Sequence, residues 1–243
     1  MITVRGTFVW AVSAFAVGIL GNSPTLAQQA SVIAEEVREF EVLIKGKCCG
    51  KSLIKITDSN DGMTLVTTDA AVVVDYIVYT YRYEFHGKEA WQGNRLVWVD
   101  DWALDAGKKL FTRAARVDAR GSIIEANGKT DRMAPVFDMT TNYWRAPQTG
   151  GKSNLCSLLN ADQGTVHAAK VECVGTEAVN VIDRKLDCTH FRFSGGVTVD
   201  LWLDDRGRIV WQKALEDGYP TELRLKRLTN NVATGRALTT TQR

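Results

Sequence analysis

From Glu39 onward, apolar and polar residues alternate with a period of two, the spacing that sends successive side chains to opposite faces of a β-strand. Phe40, Val42 and Ile44 alternate with Glu39, Glu41, Leu43 and Lys45, and residues 46–50 turn the chain into a second run carrying Ile54 and Ile56, so a hairpin is predicted. After the turn signal Ser59-Asn60-Asp61-Gly62, residues 63–85 stay rich in β-branched and aromatic side chains for longer than one strand usually runs, which places a bend or bulge near 69–75. Tyr79, Tyr81, Tyr83 and Phe85 share one face, opposite Thr80, Arg82, Glu84 and His86: an aromatic ladder.

A meander follows over 95–104, 110–118 and 122–126, with Leu96, Trp98, Trp102 and Leu104 expected on one side of its first strand. Alternation stops between Pro135 and Pro147, where a short helix or ordered loop is expected over 136–144, with another short helix over 154–159. Strands resume at 165–174, 177–182, 188–193, 197–203, 209–215 and 222–228, joined by tight turns such as Ser194-Gly195-Gly196 and Asp204-Asp205-Arg206-Gly207. Strands joined this closely must pair antiparallel, because a parallel crossover needs a dozen or more residues. The fold class is therefore all-β and mainly antiparallel. The expected architecture is a strongly curved sheet or half-barrel with one or two short helices, covered by residues 133–160; the alternative is a β-sandwich.

The start of the chain has a different character. Arg5, the uncharged run 8–20 and the small residues Thr25-Leu26-Ala27 have the form of a secretory signal, so 1–27 is read as a signal peptide and Gln28 as the first mature residue. Thirteen apolar residues are too few to anchor across a membrane, and no second long apolar stretch follows, so no transmembrane span is expected after cleavage. The expectation is a periplasmic or secreted protein with a single antiparallel domain over 28–228 and a flexible polar tail over 229–243. The signal holds one cation and no acid, so the chain's 30 Lys+Arg and 28 Asp+Glu become 29 and 28, a net charge of +1. That balance gives no footprint for nucleic acid, which selects clustered Lys and Arg. Five cysteines (Cys48, Cys49, Cys156, Cys173, Cys188) in an oxidising compartment suggest disulfides, and the odd number leaves at least one unpaired.

A set of short motifs runs in order along nearly the whole mature chain: 40–46 (FEVLIKG) with Gly50, 81–84 (YRYE) with Trp91 and Gly93, Met139 with Tyr143-Trp144, 158–160 (LLN) with Gly164, and Asp200-Leu201-Trp202 with Gly207. In their order and spacing they resemble an uncharacterised family of exported bacterial β-rich proteins, a domain of unknown function. The resemblance implies export and β architecture, and extends distantly to curved-sheet envelope proteins that cradle lipid or lipoprotein chains. It carries no catalytic residue, and the five cysteines depart from its pattern.

Aromatic rings with a polar edge suit an acyl chain or a sugar face, so Tyr81, Tyr83, Trp91, Tyr143 and Trp144 are candidate ligand-binding residues, with Arg82 reaching a head group if its face turns toward the mouth. Trp91 and Trp144 are favoured because turns or irregular segments flank them. For any one ring an ordinary buried sheet face is the more frequent explanation, because a period-two aromatic stripe is the expected signature of such a face. His167, Cys173, Cys188 and His190 could converge on a metal, but no ligand motif supports it, and the site assignment is no metal and no cofactor. For catalysis there is no nucleophile elbow, and Asp100-Asp101 and Asp204-Asp205 read as solvated or turn residues, so no catalytic residue is assigned. The functional expectation is a non-catalytic binding protein for a lipid acyl chain or glycan. A structural or partner-binding envelope module with a filled core is the alternative, and an unrecognised hydrolase ranks lower.

Overall fold

The computed structural model describes residues 31–118, 121–147, 154–216 and 218–232. The expected signal peptide lies outside them, as does the expected tail beyond Val232. Fifteen strands form a single sheet: β1 (Val32–Ile44), β2 (Lys47–Ser59), β3 (Met63–Asp75), β4 (Thr80–Gln92), β5 (Arg95–Asp105), β6 (Lys108–Arg116), β7 (Ser122–Ala126), β8 (Lys129–Ala134), β9 (Met139–Thr140), β10 (Leu155–Leu159), β11 (Val166–Val181), β12 (Arg184–Gly195), β13 (Val199–Leu203), β14 (Ile209–Glu216) and β15 (Tyr219–Val232). Their order is β8-β7-β6-β5-β4-β3-β2-β1-β15-β14-β13-β12-β11-β10-β9. All neighbours pair antiparallel except β9 and β10.

This order describes two meanders zipped together at β1 and β15. The sheet's two outer strands, β8 and β9, do not pair with each other, yet they are consecutive in the chain and joined by only residues 135–138. The sheet therefore curls until its edges are tethered, giving a barrel-like wall that is not closed by hydrogen bonds. A curled sheet has an inside, and period-two alternation fills it: Phe40, Ile54, Ile56, Val66, Trp91, Leu96 and Val99 are buried in one continuous core.

The sheet also corrects the expectations. Among the described residues there is no helix; 155–159 is a strand, and the 136–144 segment contributes only β9 and turns. The predicted bend near 69–75 is absent, because β3 runs unbroken and the chain reverses at 76–79, in a turn of Tyr, Ile, Val and Tyr that lacks every usual turn residue. The two strands expected over 165–174 and 177–182 are one, β11, with a bulge between Cys173 and Gly175, where Gly175 adopts a φ of 136 degrees open chiefly to glycine. In β5, the register slips between Ala90/Trp98 and Trp91/Leu96, leaving Val97 unpaired. That bulge flips the remaining strand, so Leu96, Val99, Asp101 and Ala103 face inward, and Trp102 lies outside, stacked on His86 at 4.2 Å. Strand β15 continues four residues past its expected end, Val232 pairing with Ala34.

Candidate functional site

The interior is divided along the strand direction. At one end Trp91, fully buried, sits in the core with Phe137, Leu159 and Trp144 around it. Its ring meets Trp144 edge-on at 5.8 Å, and the Arg145 guanidinium lies 3.9 Å from its centroid. Its Nε1 donates to Glu89 Oε2 at 2.8 Å. Glu89 is itself buried, and its other oxygen accepts from Thr140 Oγ1 at 2.6 Å and from the Asn142 side-chain amide. Burial raises the Glu89 pKa above the ordinary carboxylate range, with the three hydrogen bonds acting in the opposite sense. Arg145 also donates to the backbone of Gly93, Asn94 and Asp138, and the Arg38 guanidinium donates to Trp144 O, so residues 138–147 are stitched into this end.

At the other end the interior opens into a cavity of about 530 Å³, within the size range of small-molecule sites. The central strands supply its aliphatic lining, Val42 and Ile44 of β1, Ile54 of β2, Val72 of β3 and Leu223 of β15, interspersed with Ser52, Thr68 and Thr221. Polar lining comes from Thr141 and Asn142, just after β9, and from Asn160, Asp162 and Gln163 in the β10–β11 turn. Tyr81 and Tyr83 line the cavity between them, and each hydroxyl donates to a carboxylate: Tyr81 to Asp105 at 2.9 Å, Tyr83 to Asp162 at 2.7 Å. Burial raises the Asp162 pKa and the Tyr83 hydroxyl bond lowers it. Two buried hydroxyls in the lining, those of Thr68 and Tyr143, have no protein partner. Asp105, Asp162 and Glu216 contribute to the lining, which among the described residues contains no Lys or Arg.

Near the boundary between the two ends, Asp101 is buried opposite Thr112 of β6. It accepts from the Lys88 backbone at 3.0 Å, and burial together with Glu89 pushes its pKa up to about 9. The reading of Asp101 as a solvated residue is thereby corrected: only Asp100 lies outside, paired with Arg113.

Of the six residues proposed from sequence, Tyr81, Tyr83 and Tyr143 lie together on the cavity. Trp91 and Trp144 do not: Trp91 shares the inward face of Tyr81 and Tyr83 but stands at the far end of β4, where it bonds to Glu89 and Trp144 packs on it. Arg82 alternates with Tyr81 and Tyr83 and is exposed on the opposite face. The metal candidates also separate. Cys173 lies opposite Phe191 and Cys188 opposite Glu177, so the two cannot bridge; all five cysteines are free thiols. His190 faces Glu177 Oε1 at 2.9 Å and Asp200 Oδ1 at 2.7 Å and stacks on Trp202 at 4.3 Å, so carboxylates occupy both ring nitrogens. No group of three or more metal-ligating side chains occurs among the described residues.

Residues 40–226 match the model of the domain of unknown function DUF6134. The chain belongs to this family. No curated protein matches. Among solved structures, a β-barrel-like protein of the domain of unknown function DUF1849 from Brucella abortus is similar with a TM-score of 0.60 and 9% sequence identity, over 83% of this chain and 99% of that one. At that identity the likeness shows a shared fold. The expected membership of an uncharacterised β-rich family and the curved-sheet architecture both hold. No helix among the described residues is long and apolar enough to cross a membrane.

Proposed function

We propose that this DUF6134 protein is an exported, non-catalytic binding protein that takes an amphipathic ligand, a lipid or glycan, into the open end of its barrel-like sheet. The observation that carries the reading is the mixed character of the cavity: aliphatic side chains on the central strands, and hydroxyl, amide and carboxylate groups after β9 and in the β10–β11 turn. Apolar surface left open to water inside a curled sheet contributes nothing to the fold, whereas a bound acyl chain or sugar face would cover it at about 25 cal/mol per Å². The unpaired Thr68 and Tyr143 hydroxyls suit ligand hydroxyl or amide groups. Carboxylates, with no Lys or Arg among the described lining residues, select a neutral or cationic polar end over an anionic one. Asp105 and Asp162 are each engaged by a tyrosine hydroxyl, which supports a positioning role for them over turnover.

Native mass spectrometry of gently purified protein tests this. Copurifying neutral lipid or glycan, lost when Ala70→Trp fills the cavity, is the expected result. A protein that carries nothing and binds no member of a lipid and glycan panel contradicts it, and turnover of a panel member abolished by Asp162→Asn would make the cavity an active site.

A further inference from the structure

The apex of the β3–β4 hairpin breaks the rule that tight turns are built from Gly, Asn, Asp and Pro. Asp75 and Thr80 close it, with Thr80 Oγ1 donating to Asp75 Oδ1 at 2.8 Å and Tyr76 N donating to Tyr79 O at 2.9 Å, yet its two central residues are Ile77 and Val78. Ile77 is 105% exposed and Val78 87%, while Tyr76 and Tyr79 stack on each other immediately behind them at 4.7 Å. Two fully solvated branched aliphatic side chains at the tip of an ordered hairpin serve nothing in the fold described above.

Their place is the cavity mouth. Antiparallel alternation sends the β1–β2, β3–β4, β5–β6 and β14–β15 turns to one end, and Ile44, Val72, Tyr81, Asp105 and Leu215, beside those turns, all line the cavity. Behind the tip, the ring of Tyr219 on β15 carries Lys45 Nζ at 4.5 Å. Lys45, Lys47, Lys108, Lys109 and Arg82 are exposed around this rim, against the exposed acids Asp75, Glu84 and Glu216.

We infer that this tip is a docking element for an anionic lipid bilayer, seating the cavity mouth on the membrane surface. Three features point to a bilayer over a protein partner. The apolar surface is a narrow projecting apex, which fits a fluid hydrocarbon layer, whereas a stable protein interface needs roughly 800 Å² per partner. Tyrosines stand directly behind the aliphatic residues, at the level where aromatic side chains sit between lipid and water. Exposed cations surround it, as contact with anionic head groups requires, while the cavity itself holds carboxylates. The inference rests on the binding reading only for what passes through the mouth; docking has its own readout.

Cosedimentation with phosphatidylethanolamine–phosphatidylglycerol vesicles, compared with phosphatidylcholine vesicles, tests it on the exported chain. The unaltered protein is expected to pellet with the anionic vesicles, and Ile77→Asp with Val78→Asp to weaken that at least about tenfold. Lys45→Glu with Lys47→Glu should weaken it several-fold, and added salt should act in the same direction. Both pairs lie at exposed positions, and an unchanged thermal melt shows that the fold persists. Neither pair should alter cavity binding of a soluble short-chain neutral glycolipid, so loss of that binding in Ala70→Trp with docking intact would separate failure of the cavity from failure of the tip. Vesicle binding that is absent or indifferent to the tip overturns the inference, as does a tip-dependent dimer or protein complex without vesicle binding.

Discussion

The two ends of one interior, lined by the same strands, solve the burial problem in opposite ways. At the filled end, bulky side chains meet across the barrel, and Trp91, Glu89, Thr140, Asn142 and Arg145 interlock so that a buried carboxyl has three donors and an indole has both a partner and a cation on its face. At the open end the corresponding inward positions carry Ser52, Thr68, Ala70, Thr221 and Ala214, too small to meet in the middle. A curled sheet needs one packed cross-section to hold its shape, and the remainder of its length can then stay open. Stability should therefore reside at the Trp91 end and ligand response at the Tyr81 and Tyr83 end.

The largest expected effect is at Trp91. Trp91→Ala should cost about 3–5 kcal/mol in chemical denaturation, since it opens a large cavity and leaves Glu89 short of a donor. Val72→Ala, at the open end, should cost under about 1.5 kcal/mol, since the removed methyl groups border space already open. Comparable losses at both positions would dissolve the contrast. Next is Glu89→Leu, expected to destabilise by about 2–4 kcal/mol because it strands the Trp91, Thr140 and Asn142 donors, with Glu89→Gln milder.

A pH series sharpens the boundary between the two ends. Asp101 has its folded-state pKa raised from 3.8 to about 9, so the folded protein holds a proton there that the unfolded chain releases. Its contribution to stability is complete below about 3.8 and is lost as pH rises toward 9; Glu89 acts in the same sense. Asp101→Asn should therefore gain stability relative to the parent as pH rises from 5 to 9, by at least about 1 kcal/mol. A pH-independent difference between the two would mean that Asp101 is solvated. The smallest effect belongs to Arg82→Ala, which should change stability by less than about 0.5 kcal/mol and leave cavity binding intact, because its side chain lies on the outer face.

The contrast between the ends was only half legible in the sequence. Alternation exposed the strands and the inward ladder of Tyr81, Tyr83 and Phe85, because period two survives wherever pairing is regular. It failed at bulges: one unpaired Val97 in β5 reverses every later face, so Trp102 moved outside and Asp101 moved in, and no local signal marks that residue. The inference that a tryptophan near a turn faces a mouth failed at Trp91 because the turn it flanks, β4–β5, lies at the end opposite the cavity, where its indole bonds to the buried Glu89. Thr140 and Asn142, which complete that network from 51 and 53 residues away, had no sequence signal at all. The β3–β4 turn escaped notice for the reason that makes it informative: it is written in strand-forming residues.

The most direct measurement is a titration of the purified protein with a fluorescent neutral glycolipid, run in parallel on the unaltered chain, Ala70→Trp and Arg82→Ala. Saturable one-to-one binding by the first and last, weakened at least about tenfold in Ala70→Trp while its thermal melt stays near that of the parent, is what a filled end supporting an open end predicts. Binding that is absent throughout, or that survives in Ala70→Trp, would contradict it.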